Sequence, residues 1–186
     1  MTLLEAKNTA MKLIDQYSST TEPTDDTETA DKLSSLFDAA QVFACTIKPI
    51  YKSITIAYTP GVSVLVEYDL PADFRQLKSA RDENGNNYWA EVLGKKILFS
   101  GDEAHTIRVD YYAYPSHISD DTPDTYEFEV DQDVQQIIPY RVAADILKTD
   151  PSVDYTAFEL VYNNMISNID PRPTAGIFHV SGGINF

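Results

Sequence analysis

The period of the apolar residues changes twice along this chain, and that switch constrains the fold more than any other feature. Near both ends, apolar residues recur every three or four positions, the spacing of one helix face. In the middle third they recur at every second position, the spacing of one strand face. The expected class is therefore α+β: a helical bundle of about four helices with an inserted antiparallel β meander or small β-sandwich, plus an extended C-terminal tail.

The first helical pattern covers Thr2 to Tyr17, with Leu3, Ala6, Ala10, Leu13, Ile14 and Tyr17 on one face. Ser18 to Thr27 is a polar linker containing Pro23. The second pattern covers Glu28 to Tyr51 and carries Leu33, Leu36, Phe37, Ala40, Phe43, Ala44, Ile47 and Tyr51. From Val42 to Ile47 it is apolar almost all round, so it needs cover on more than one side, from its own sheet or from a neighbouring subunit. Pro49 should kink or end this helix, because it pushes Lys48 out of helical angles.

Strand-like alternation follows over Ile54–Tyr58 and Val62–Tyr68, separated by the turn Pro60-Gly61. Leu70-Pro71-Ala72-Asp73-Phe74 interrupts it, with one helical turn as one reading. Gln76–Asp82 and Tyr88–Leu93 read as strands joined at Asn84-Gly85, a hairpin signal because both residues tolerate positive φ. Gly94-Lys95 turns into Ile97–Phe99, and Thr106–Tyr114 is the best-defined strand, rich in β-branched and aromatic residues. Pro115 to Asp133 is a long acidic loop, with a short strand predicted at Tyr126, Phe128 and Val130. A helix over Val134–Lys148 offers Ile137, Ile138, Val142, Ile146 and Leu147 to the core, and Pro139 must kink it or mark its first turn. Asp150-Pro151 reads as a cap followed by a first-turn proline. A final helix to about Asn168 carries Phe158, Val161, Tyr162, Met165, Ile166 and Ile169 on one stripe. The expected organisation is one domain over residues 1–170, helical over 1–52 and 131–169 with the β insertion at 53–130, and a tail over 171–186.

That tail contains Pro171, Pro173, Gly176, Gly182 and Gly183, yet it also carries Ile177, Phe178, Val180, Ile184 and Phe186. Disordered tails are usually polar, so this one reads as a docking segment. Val42 and Cys45 in the second helix, and Ile177, Phe178, Val180, Ile184 and Phe186 in the tail, are the residues expected at protein interfaces.

Charge narrows the function. The 186 residues hold 14 basic against 29 acidic side chains, a net charge of -15. A broad basic face for nucleic acid is not expected, and anionic membrane surfaces are disfavoured for the same reason. A partner with a basic face suits such a surface. The chain has a single cysteine, Cys45, so it can form no internal disulfide and no cysteine-based zinc site. Cys45 lies among apolar neighbours and reads as a small buried hydrophobe, since a reactive thiol needs nearby positive charge. No apolar run reaches the length of a membrane span, and Glu5 and Asp15 interrupt the N-terminal segment, so a signal peptide is not expected.

Residue patterns that could carry chemistry are sparse. Asp120-Asp121-Thr122-Pro123-Asp124 matches a bare D-D-x-x-D string, but that magnesium motif needs a helix to align its carboxylates, and Pro123 sits inside it here. The same stretch lacks the central glycine and closing glutamate of an EF-hand. His105, His117 and His179 form no helical pair, and Ser116-His117 are adjacent without making a triad. No phosphate-cradling glycine loop is present. Twelve tyrosines, three of them at Tyr111, Tyr112 and Tyr114, read first as filling for a half-buried sheet and second as an aromatic platform. No catalytic residue, metal or cofactor is assigned, and an enzyme is not expected.

Four segments together carry a resemblance. They are Leu33-Ser34-Ser35-Leu36-Phe37-Asp38-Ala39-Ala40-Gln41, Tyr68-Asp69-Leu70-Pro71-Ala72-Asp73-Phe74, Arg108-Val109-Asp110-Tyr111-Tyr112-Ala113-Tyr114-Pro115, and Ile138-Pro139-Tyr140-Arg141-Val142-Ala143-Ala144-Asp145-Ile146-Leu147. In their order and over most of residues 2–170, the chain resembles the head–tail connector (adaptor) proteins of tailed bacteriophages. The resemblance implies a structural subunit of a ring beneath the portal, commonly dodecameric, found in the neck of the virion after synthesis in the host cytoplasm. Its partners would be the portal protein, a tail or second neck protein, and further copies of itself, with no membrane. Genomic DNA would pass through the lumen without specific binding, and a negative lumen fits such a channel. The tail would thread onto the portal or an adjacent subunit, by strand addition at Ile177 to Val180. Two other readings stand beside this one: another virion subunit or a glycan-binding module using the tyrosine-rich sheet, and a hydrolase or metal enzyme with ligands far apart in sequence.

Overall fold

The computed structural model describes residues 1–17, 27–61, 65–148 and 155–170. Helices α1 (Leu3–Tyr17) and α2 (Thr27–Ile47) precede the strands β1 (Ile50–Tyr58), β2 (Val66–Asp69), β3 (Phe74–Arg81), β4 (Ala90–Leu93), β5 (Lys96–Phe99) and β6 (His105–Ala113). A single turn α3 (Gln132–Gln135), then α4 (Ile137–Leu147) and α5 (Thr156–Ser167), complete the described chain. The protein is mixed α+β, with helices and two small antiparallel sheets.

Of the apolar face predicted for α1, Leu3, Ala6, Ala10, Leu13 and Ile14 all lie in the core, and the Tyr17 side chain lies outside the described residues. Its first turn is a capping box that the periodicity did not reveal. The Thr2 hydroxyl accepts from the Glu5 amide at 3.2 Å, and the Thr2 amide donates to the Glu5 carboxylate at 2.9 Å. The next free amides, of Leu3 and Leu4, donate to the carbonyls of Tyr126 and Asp124. The acidic segment after β6 therefore serves as the cap of the first helix. Thr2 and Glu127 form an isolated antiparallel bridge, which is all that appears of the strand predicted at 126–130. The alternation there is nevertheless real, since Phe128 and Val130 are buried while Glu127 and Glu129 face outward.

α2 ends sooner than expected. It stops at Ile47, and Ile50 and Tyr51 begin β1 instead of closing the helix. Pro49 supplies the reason: it forces the preceding residue out of helical angles, and the chain turns straight into the sheet. The predicted helix over 134–148 is broken at Gln136 into α3 and α4. Pro139 is then the third residue of α4, where its missing N–H would have had no helical acceptor. α4 is buried on most sides and packs against α1, α2 and α5. The stripe predicted for α5 holds only in part: Tyr162 is buried and Met165 and Ile166 are partly so, but Val161 is exposed. The Phe158 side chain, the Asp150-Pro151 cap and residues 62–64 of the strand predicted over Val62–Tyr68 lie outside the described residues, while the later part of that strand forms β2.

The strands do not form a meander. One sheet has the order β1-β6-β3 and the other β2-β5-β4, so the chain crosses between sheets repeatedly. The turn at Asn84-Gly85 forms as predicted, with Gly85 at φ 83° and the Asp82 carboxylate accepting from the amides of Asn84 and Asn86. Beyond a single bridge between Arg81 and Asn87, however, the returning chain leaves β3 and pairs with β5. Burial explains this departure. Tyr88 must reach Tyr58 and Phe99, whose rings lie 5.8 and 6.0 Å away, in a core shared by both sheets. Ile107 and Val109 of β6 and Ala80 of β3 meet Ile97 and Phe99 of β5 there, so the two sheets form a small sandwich. Each large side chain taken from water in such a core contributes roughly 1.5–3 kcal/mol.

Candidate interaction surfaces

The residues expected at interfaces separate clearly. Val42 is half-buried on α2. Cys45 is fully buried in the helical core and has no surface to offer, so it leaves the interface set. Burial pushes its thiol up to about 12, and the nearby Arg75 only partly offsets this. The cover that the apolar stretch of α2 needed thus comes, at Cys45, from the chain's own residues. Ile177, Phe178, Val180, Ile184 and Phe186 lie outside the described residues.

The chemistry-bearing motifs are not brought together. Asp120 and Asp121 are exposed in a turn, and Asp124 pairs with Lys7 at 2.8 Å instead of facing them as a third ligand. His105 pairs with Glu83 and His117 with Asp38, on different halves of the molecule. Ser116, beside His117, joins a network through its backbone: its amide donates to Glu129 and its carbonyl accepts from Gln41. Among the described residues, no group of three His, Cys, Asp or Glu side chains could hold a metal ion. His179 lies outside them.

The tyrosines of β6 take opposite sides. Tyr111 is buried, stacked on Phe74 and bonded through its hydroxyl to Asp73. Tyr112 is half-exposed on the other face, and Tyr114, just past the strand, is exposed beneath the Arg75 guanidinium.

A belt of charged pairs joins the helices to the sheet. Lys48, only 3% exposed, reaches Asp131 at 2.9 Å and Asp133 at 2.8 Å. Burial alone would lower its ammonium, but hydrogen bonds and attraction from both carboxylates raise it above the ordinary lysine value. Lys52 on β1 bonds to Asp73, which raises it as well, and it also reaches Glu129. Arg75 donates to the Cys45 carbonyl at 2.8 Å, fastening β3 to the end of α2. Burial opposes ionisation of Glu129, yet hydrogen bonds from Ser116 and the charge of Lys52 hold it below the usual carboxylate value.

The sandwich has two outer faces, and these surfaces were not legible from the composition. Antiparallel register places Tyr51, Thr55, Arg81, Arg108 and Tyr112 on the outside of the first sheet, away from the shared core. Lys78 lies over the rings of Tyr51 and Tyr112, 4.3 and 5.8 Å from their centroids, and so belongs to the same face. The acid there, Asp110, is buried among Ser79, Arg108 and Tyr51. Burial opposes its ionisation, and these partners hold it below the ordinary aspartate value. On the second sheet, Glu67 and Glu91 flank Leu98 on adjacent strands, facing away from the shared core. Trp89 and Leu93, two residues to either side of Glu91, are 50% and 65% exposed. Alternation in β6 shows that Arg108 and Tyr112 share a side, but only pairing brings Lys78 and Arg81 to them.

No protein-family model matches the sequence, and no curated protein matches it.

Proposed function

We propose that the chain is a structural head–tail connector (adaptor) subunit of a tailed bacteriophage, one copy in a ring between portal and tail that lines the DNA exit channel. The observation that carries this reading is the order of the four segments resembling that family. In the fold they fall at α2, at the turn from β2 into β3, along β6 with the two residues after it, and along α4. The helical part draws on both ends of the described chain, with the β part inserted between them.

In this reading the helices form the bundle that meets the portal or neighbouring copies, and the β insertion faces the tail. Residues 171–186 act as the docking tail, and DNA passes through the lumen without specific binding. The net charge of -15 agrees with such a channel. Among the described residues no helix is long and apolar enough to cross a membrane.

The test is the mass of the purified chain by light scattering, alone and mixed with the portal protein of the same phage. A stable high-mass complex is expected, and deletion of residues 171–186 should abolish it while leaving the rest folded. Failure to interact at any concentration or salt would overturn the reading. The alternative is another virion subunit or a glycan-binding module that uses the outward aromatic face at Tyr51 and Tyr112.

A further inference from the structure

The two outer faces of the sandwich carry opposite charge. On the first sheet, Arg81 and Arg108 sit directly opposite each other across the β3–β6 pair. Like charges in that position repel. Arg108 has Asp110 as its partner, whereas Arg81 makes no ion pair among the described residues. Lys78 adds a third positive charge over the tyrosine pair. On the second sheet, Glu67 and Glu91 stand in the same rung on either side of Leu98, with exposed Trp89 and Leu93 alongside. Asp69 and Lys96 pair with each other at 2.7 Å on the same side, leaving that face net acidic. In an overall acidic chain, a basic and aromatic patch on one side of a sandwich and an acidic and apolar patch on the other make a complementary pair. The shared core fills the space between the sheets, so the two patches cannot meet within one molecule.

We infer that the sandwich is the head-to-tail contact between copies of this chain. The face bearing Lys78, Arg81 and Arg108 docks on the face of the next copy bearing Glu67, Glu91 and Trp89. A contact between two different faces is heterologous, and repeated with a closing rotation it generates a ring. The inference rests on the proposed ring subunit for that closure, but the contact itself is tested without the portal.

The experiment is sedimentation of the full-length chain over a concentration series at low and high salt. Two charge reversals are run beside it, Lys78→Glu/Arg81→Glu and Glu67→Lys/Glu91→Lys, with circular dichroism as the check on folding. Wild type should self-associate at low salt and weaken at least about tenfold at high salt, as screened charges do. Each reversal alone should be monomeric. Mixing the two should restore association, because each then offers the face that the other needs. If a reversal fails to fold, Arg81→Gln and Glu91→Gln test the same contact with a smaller loss. A wild type that stays monomeric at every concentration overturns the inference, even if the portal complex forms. So do reversals that associate like wild type. Salt-dependent binding of a DNA duplex that Lys78→Glu/Arg81→Glu abolishes, with no change in self-association, would assign the basic face to nucleic acid instead.

Discussion

The helical half of the molecule is assembled from segments distant in sequence, whereas the β half is one continuous stretch from Ile50 to Ala113. In the helical core Leu3 and Ala6 of α1 lie with Phe37 of α2, Phe128 of the acidic segment and Ile138 of α4. In the β core, Phe99 meets the rings of Tyr58, Tyr68 and Tyr88 at 5.7 to 6.2 Å. The helices hide their apolar stripe on several sides and keep charge at the junction, in pairs such as Lys48 with Asp131 and Asp133. The small sheets pack one face each on their shared core, and their exposed charges stand on the two outer sides. The helical half thus brings both ends of the described chain together, and exposed apolar side chains remain on both halves, Leu160 and Val161 on α5 and Trp89 and Leu93 at the ends of β4.

The largest effects should come from opening either core. Phe99→Ala removes the ring that three tyrosines touch and should cost about 3–5 kcal/mol; Ile138→Ala in α4 should cost about 2–5 kcal/mol. Because the Lys52–Glu129 pair, the Arg75 bond to the Cys45 carbonyl and the direct α2–β1 connection tie the halves together, both variants should still unfold in one transition. Urea melts followed by far-ultraviolet dichroism and by near-ultraviolet tyrosine signals test this. Two separated transitions in either variant would show that the halves fold independently.

A smaller effect distinguishes charge inside the sheet from charge at its edge. Asp110→Ala leaves the Ser79 hydroxyl and the Arg108 guanidinium without their acceptor and should cost about 1–3 kcal/mol. Asp69 pairs with Lys96 at 2.7 Å but is largely solvent-exposed, so Asp69→Ala should change stability by less than about 0.5 kcal/mol. Equal losses in denaturant midpoint would erase the distinction.

The smallest effect follows from pH and falls on the belt between the halves. Burial raises Asp73 and Glu129, but Lys52 and their hydrogen bonds outweigh it and leave both below their ordinary values of 3.8 and 4.5. A carboxylate held low in the folded state contributes fully above its unfolded value, and that contribution is lost as pH falls through the folded value. Stability should therefore decline below about pH 4.5, and Glu129→Gln should make the decline shallower. Lys48 and Lys52 are raised above 10.5, so their contributions are complete below that value and are lost as pH rises through the higher folded values. Urea midpoints across pH check both signs, and a Glu129→Gln curve as steep as wild type in acid would remove Glu129 from the belt's role.

Much of the fold was legible in local pattern. Leu3, Ala6, Ala10, Leu13 and Ile14 specified one buried helix face, Pro49 ended α2, and Asn84-Gly85 made a turn, because each depends on residues close together in the chain. The capping box at Thr2 and Glu5 was equally local and could have been read from its spacing. Of the interface candidates, Val42 keeps some exposed surface, while Cys45 shows the limit of such reading. An apolar stretch signals that cover is needed but not whether the cover belongs to the same chain. Only the tertiary structure decided that β6 lies between β1 and β3, that β4 abandons β3 for β5, and that Arg81 faces Arg108 on an outer surface. Periodicity states which side of a strand is apolar, but strand pairing is settled by which apolar sides can be buried together, and that depends on residues far apart in the chain.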